Sequence, residues 1–308
     1  MRRGDGMEQK NRMSLPAPQF YHLFDLERPV NQEIELGKNK KVLPVKEGSV
    51  YGPALNGSLV DGGGEWTEIH IEKVKISAKY NLKTDDGKRI IMETEGWKTT
   101  SGTNVKVKFQ AGTRKYRYLN DVIAVGKYSN QSGKEILSIY GMLPYASTTF
   151  PKTDLKLQHL YYVEVSCDMP SFLGKVDEGV EAIIPISGGR FEGKKLRGNI
   201  LPVGSDWNVV KLGTKIRSHV STRYMLSTDD NENISLFTDG RLVMPYGSLF
   251  KVLSNNKDAA NAYYFRQHLC FTTESEAYDW LNDKIGFAVI GASMKQGIKV
   301  CYNAYILE

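Results

Sequence analysis

Apolar and polar residues alternate along most of this chain. VKVKF (105–109), ISAKYNL (76–82), ISLFTDG (234–240) and GIKVCYNAYIL (297–307) place an apolar or aromatic residue at nearly every second position. That is the period of a strand with one buried face. Turn signals separate these runs about every ten residues: GKNK, EGS, LNGS, DGGGE, TDDGK and SGTN. Short strands at that spacing predict an all-β fold, an antiparallel barrel or sandwich. Closure into a barrel is favoured because it removes exposed strand edges. Helical signals are sparse. KDAANAYYF and SEAYDWLND, both late in the chain, are expected to form short helical turns.

The pattern occurs twice. Residues 20–57 overlay residues 161–198 at a constant shift of 141, which pairs Tyr21 with Tyr162, Pro29 with Pro170 and Pro44 with Pro185, and the same shift beyond that stretch pairs Trp66 with Trp207. At a shift of 144, Tyr80, Leu82, Thr84, Asp85 and Asp86 meet Tyr224, Leu226, Thr228, Asp229 and Asp230. At a shift of 162, Tyr116, Leu119, Asn120 and Tyr140 meet Tyr278, Leu281, Asn282 and Tyr302. Copies this long are domains rather than solenoid units. The expected organisation is an N-terminal flexible arm over 1–17, a first barrel over 18–144, a linker over 145–158 and a second barrel over 159–308. The linker, YASTTFPKTDLKLQ, carries Pro151 between polar flanks.

Composition adds little beyond exclusions. With 41% apolar and 25% charged residues the chain reads as a soluble globular protein. No apolar run approaches the ~18 residues of a membrane span, and the polar start has no secretory h-region. Cys167, Cys270 and Cys301 make an odd count without CxxC spacing, so neither a disulfide framework nor a zinc site is expected, and a reducing cytoplasmic setting fits. Net charge is +6, with 23 Lys+Arg against 17 Asp+Glu before residue 151 and 18 against 18 after it. The densest basic stretch, VKVKFQAGTRKYRY, alternates as a half-solvated strand does, so nucleic acid is not an expected partner. DGGGEW leads into a strand rather than a helix and therefore does not cradle phosphate. TDDG at 84–87 is a hairpin turn without EF-hand spacing. The closely spaced glycines of GSVYGPALNG and GGRFEGKKLRG are expected at bulges or tight barrel corners.

Three stretches, GGRFEGKKLRGNILPVGSDW, RYMLSTDD and YYFRQHLCFTTESEAYDWLN, together resemble the DUF3237 family, also called UPF0311. The second copy matches nearly throughout and departs at Asn231, where the pattern has Gly. The first copy carries GSVYGPALNGSLVDGGGEW, KYNLKTDDG and YRYLN, with Glu65 in place of Asp, Lys79 in place of Arg, and no YYFR segment. The resemblance implies two tandem antiparallel lipocalin-like β-barrels with short helical turns. It implies little about chemistry, and a fold does not fix a function.

No GxSxG, HExxH or P-loop is present, and none of the five histidines has metal-ligand spacing to another. His70 and His219 fall within expected strands. The candidates are instead polar and aromatic groups found in both copies. Trp66 and Trp207 follow Glu65 and Asp206, and Tyr80 and Tyr224 follow Lys79 and Arg223. As architecture, Trp and Tyr plug barrel ends while acid and base pair at the rim. As chemistry, they line a cup in which Tyr serves as acid and a buried carboxylate as base. The second copy adds Tyr264 and Arg266. Arg223, Tyr224 and Asp206 are the catalytic candidates. Trp207, Tyr264, Arg266, Trp66, Tyr80 and His70 are the ligand-binding candidates, and no residue is assigned to a metal. The principal pocket is expected in the second barrel. The function expected first is a cofactor-independent enzyme acting on a small, largely apolar organic molecule: an isomerase, cyclase or pericyclase- or lyase-like enzyme of secondary metabolism. Orientation within a barrel supplies much of such a reaction's barrier lowering. A non-catalytic small-molecule-binding barrel is the alternative, and a structural or interaction protein the second. Neither membrane nor nucleic acid is an expected partner, and a homo-oligomer is compatible with the sequence.

Overall fold

The computed structural model describes residues 12–308 except 31, 146, 177, 178, 255, 257, 295 and 296; most of the arm expected over 1–17 therefore lies outside the described residues. Two compact units divide the chain. One is Gln19–Leu155; the other is Lys156–Glu308 together with the segment ending at Pro18. The division falls within the stretch read as a linker.

Eleven strands build the first unit: β1 (Phe20–Pro29), β2 (Ile34–Gly37), β3 (Lys40–Val45), β4 (Ser49–Tyr51), β5 (Gly57–Ile69), β6 (Val74–Thr84), β7 (Arg89–Thr99), β8 (Gly102–Ala111), β9 (Ile123–Gln131), β10 (Lys134–Met142) and β11 (Lys152–Thr153). Neighbours pair antiparallel in the order β1-β10-β9-β8-β7-β6-β5, and β4 joins β5 back to β1, closing an eight-stranded barrel. β3 extends the β4 edge along β5. Phe24, Leu26, Leu59, Tyr80, Met92, Val105, Val107, Leu137 and Ile139 fill the interior.

The second unit repeats the plan with β12 (Leu157–Cys167), β13 (Ser171–Val176), β14 (Gly179–Glu192), β15 (Arg197–Leu212), β16 (Ile216–Thr228), β17 (Asn233–Met244), β18 (Tyr264–Thr272), β19 (Gly286–Ser293) and β20 (Ile298–Leu307). The order β12-β20-β19-β18-β17-β16-β15-β14 closes through pairing of β14 with β12. One continuous strand, β14, does here what β3 and β4 share in the first barrel. Two tandem all-β barrels are thus the architecture. KDAANAYYF gives a 3-10 turn at Ala259–Ala262 and then enters β18, and SEAYDWLND gives a 3-10 turn at Asp279–Leu281. The α-helix α1 (Tyr246–Leu253) was not legible in the sequence. No described helix is long and apolar enough to cross a membrane.

Most residues that mark the duplication hold the barrels together. Thr84 and Thr228 close matching hairpins, their hydroxyls accepting from Lys88 N and Glu232 N, both at 2.9 Å. Tyr116 donates to Asp86 at 3.1 Å and Tyr278 to Asp230 at 3.0 Å. Asn120 clamps both backbone groups of Ala111, and Asn282 those of Thr273. Asn231, the departure from the family pattern, has φ 67 where Gly87 has φ 78; Asn is among the few side chains that tolerate this left-handed turn. The strand bulges between Ile200 and Gly204, where φ is +94 and a Cβ would lie 1.9 Å from the Arg223 carbonyl oxygen. Only glycine fits there.

Candidate functional site

Adjacent strand residues face opposite sides of a sheet, and this splits each candidate pair. In β15 the side chain of Asp206 faces the barrel interior and Trp207 faces out. In β16 Tyr224 belongs to the core while its neighbour Arg223 is exposed, its guanidinium 5.6 Å from the Phe237 ring centroid. Arg223 and Trp207 therefore do not line the interior, contrary to the expectation from sequence. Trp66 is likewise outward and 45% exposed beside inward Glu65, and Tyr80 is inward beside exposed Lys79. Tyr264 and Arg266 lie on the opposite side of β18 from core residue Phe265; Arg266 donates to the Phe265 carbonyl at 2.8 Å and sits over the Tyr264 ring. His70 stands edge-on to Trp97 at 5.3 Å, just beyond the end of β5 and outside the lumen. Tyr140 also departs from its matched partner: Ile139 occupies the core phase of β10, and Tyr140 faces His22, whereas Tyr302 is a core residue.

What remains inside the second barrel is a compact polar group in an apolar wall. The Asp206 carboxylate accepts from the Thr222 hydroxyl at 2.8 Å and also from Asn208, whose own carbonyl accepts from Ser218 at 3.3 Å. Burial pushes the Asp206 carboxyl from 3.8 up to about 6, against these hydrogen bonds. Tyr224 follows Thr222 along the inward row of β16 and shares a hydrogen bond with Tyr302 of β20, across the lumen. The Tyr161 ring stacks at a tilt 6.1 Å from that of Tyr302. Burial drives all three phenols well above their ordinary value. Cys167 faces the same space, its thiol pushed to about 12 by burial and then by the Asp206 charge. Thr238 pairs in register with Thr222, and its buried hydroxyl has no hydrogen-bond partner.

The first barrel holds a different group. Arg28, 2% exposed, reaches Glu65 at 2.9 Å and Glu135 at 2.6 Å, and Glu65 also accepts from Tyr80 and Tyr128. Arg28, Tyr128 and Glu135 were not singled out from sequence. One signal was available: Phe24, Leu26 and Arg28 share one strand phase, so an arginine stands where apolar residues are expected. On the outer face a groove of about 280 Å3 is lined by Trp66, Lys79, Glu93, Glu95, Lys106 and Lys108, among others, with ion pairs Lys79–Glu93 and Lys106–Glu95, each 2.7 Å. Among the described residues no group of three His, Cys, Asp or Glu side chains is placed to hold a metal ion. No disulfide joins Cys167, Cys270 and Cys301.

The family DUF3237, a protein family of unknown function, matches residues 18–104 and 155–307. The chain belongs to this family. A UPF0311 protein of Clostridium acetobutylicum is 29% identical over 133 residues, 43% of this chain and 83% of the relative. One from Rhodopseudomonas palustris is 23% identical over 151 residues, 49% of this chain and 95% of the relative. A β-barrel-like protein from Acinetobacter baumannii is 36% identical with a TM-score of 0.42, covering 51% of this chain and 98% of that one. Each of the two UPF0311 relatives matches over about half of this chain, and the family model matches the chain in two stretches.

Proposed function

We propose that the chain is a cofactor-independent enzyme whose second barrel performs acid–base chemistry on a small, largely apolar organic molecule, as an isomerase, cyclase or lyase does. The observation that carries this reading is Asp206, an inward carboxylate whose carboxyl is raised to about 6, set beside the Tyr224–Tyr302 pair and the unpartnered Thr238 hydroxyl. A carboxylate of that strength is mostly ionised near neutrality yet basic enough to remove a proton from carbon next to a carbonyl. Thr222 and Asn208 fix its orientation. The phenols remain protonated, so they donate hydrogen bonds to a developing enolate oxygen, and Asp206, now protonated, returns its proton when the double bond has moved. Leu226, Leu236, Phe265 and Ile290 wall the same space and exclude water. Positioned general-base catalysis of this kind supplies about 10²–10⁴-fold in rate.

The test is proton exchange. The full chain is incubated in D2O with a panel of neutral aromatic and terpenoid ketones, and deuterium uptake next to the carbonyl is read by mass spectrometry. The account expects catalysed uptake on at least one skeleton, rising as pH passes about 6 and abolished by Asp206→Asn. Ketones that bind without exchange, in wild type and variant alike, would support the non-catalytic binding barrel instead.

A further inference from the structure

The polar group inside the first barrel has its own proton arithmetic. Glu65 Oε2, Tyr80 Oη and Tyr128 Oη form a triangle: Tyr80 to Glu65 is 3.2 Å, Tyr128 to Glu65 is 2.9 Å and Tyr80 to Tyr128 is 2.9 Å. Two phenols bring two protons to three contacts. A third proton, on Glu65, gives every contact one donor. Charge balance leads to the same place. Arg28 binds Glu135 through both Nε, at 3.1 Å, and Nη2, at 2.6 Å. Arg28 Nη2 also reaches Glu65 at 2.9 Å, but one guanidinium balances only one carboxylate, so an ionised Glu65 would leave the group with one net buried negative charge, which costs several kcal/mol. The other strands bordering the group, β3, β7 and β8, turn Leu43, Val45, Met92, Thr94, Val105 and Val107 inward, none of them charged. Burial, the largest influence on Glu65, raises its pKa; Glu135 adds to it, while Arg28 and the hydrogen bonds from Tyr128 and Tyr80 oppose it without reversing the direction.

We propose that the first barrel is a second acid site, independent of Asp206, in which Glu65 is protonated at neutral pH within its triangle of contacts to Tyr80 and Tyr128 and which takes a neutral carbonyl-bearing ligand. Two groups are left to receive that ligand. Arg28 Nη1 is buried with no hydrogen-bond partner, and so is the Thr94 hydroxyl. Arg28 Nη1 can only donate, and a hydroxyl is able to donate beside it, so the ligand atom is an acceptor. An anionic acceptor would restore the uncompensated charge that protonation of Glu65 removes; a ketone, lactone or quinone oxygen does not. Glu135 keeps 23% of its side chain exposed, so the group is reachable from solvent.

Infrared difference spectroscopy of the full chain reads the proton directly, through the carbonyl stretch of a protonated carboxylic acid at about pH 8, well above the ordinary carboxyl range. The expected result is a band present in wild type, retained in Asp206→Asn and lost in Glu65→Gln, an isosteric change that keeps the phenol contacts. Circular dichroism confirms that each variant is folded. Absence of the band in folded wild type, or its loss in Asp206→Asn rather than Glu65→Gln, overturns the proposal. A naphthyl methyl ketone and the matching naphthoate then probe the ligand class. The ketone is expected to shift the Glu65 band and the naphthoate to leave it unmoved; a ketone without effect, or a naphthoate shifting it equally, refutes the ligand assignment. Because the Asp206→Asn protein gives the same readings, failure here is distinct from failure of the acid–base reading of the second barrel.

Discussion

Replacing Asp206 by Asn is expected to make the second barrel more stable at neutral pH. Burial raises this carboxyl from 3.8 to about 6, and about two pKa units correspond to ~3 kcal/mol. The sign follows from the raised value. Below the unfolded pKa, Asp206 is protonated in both states and carries no penalty. As pH rises through about 6 the folded protein must bury a charge that the unfolded chain leaves in water, and the full cost is reached above that value. An asparagine has no such charge, and its amide oxygen still accepts from Thr222, which is 2.8 Å away in the wild type. The stability gain of Asp206→Asn should thus be small near pH 4, open between about pH 4 and pH 6, and level off at ~1–3 kcal/mol by about pH 8 once local relaxation is allowed for. Urea midpoints of wild type and variant at the two pH extremes measure it, and the double difference cancels every other titrating group. A difference that is the same at both extremes would refute the burial of this charge. A site residue whose removal stabilises the fold is the usual signature of function bought against stability.

Three further outcomes follow from the packing. Asn231→Ala should cost about 1 kcal/mol in thermal or urea unfolding while Asn231→Gly costs nothing, because φ is 67 there and only the former meets left-handed strain. Asn282→Ala should destabilise the second barrel by ~2–3 kcal/mol, since both backbone groups of Thr273 lose their partner. Arg28→Met should destabilise the first barrel by roughly 3–5 kcal/mol at neutral pH and by less in acid, where Glu135 is neutral as well as Glu65; a pH-independent loss would contradict the Arg28–Glu135 ion pair.

The architecture was legible because it is written in periodic residues. Alternation gave strands, repeated prolines and glycines gave two copies, and TDD with the late Tyr–Asn pair marked hairpins and clamps that the structure contains. The site was legible only in part, for a reason the same alternation states. Glu65–Trp66, Lys79–Tyr80, Asp206–Trp207 and Arg223–Tyr224 are sequence neighbours on strands, so one member of each must face away from the lumen. Asp206, Tyr224 and Tyr80 face in; Arg223, Trp207 and Trp66 face out. Tyr128 and Glu135 escaped notice because neither is matched between the two copies and they meet Glu65 only when the barrel closes. Helix α1 escaped because YGSLFKVL combines Gly, Ser and aromatics, which are poor helix formers.

The most direct measurement of the central claim is a carbon-13 NMR titration of side-chain carboxyls in the full chain, with the Asp206 resonance identified by its absence in Asp206→Asn. The account predicts a midpoint at about 6, the strength a general base in the second barrel requires. A midpoint at the ordinary 3.8 would contradict it.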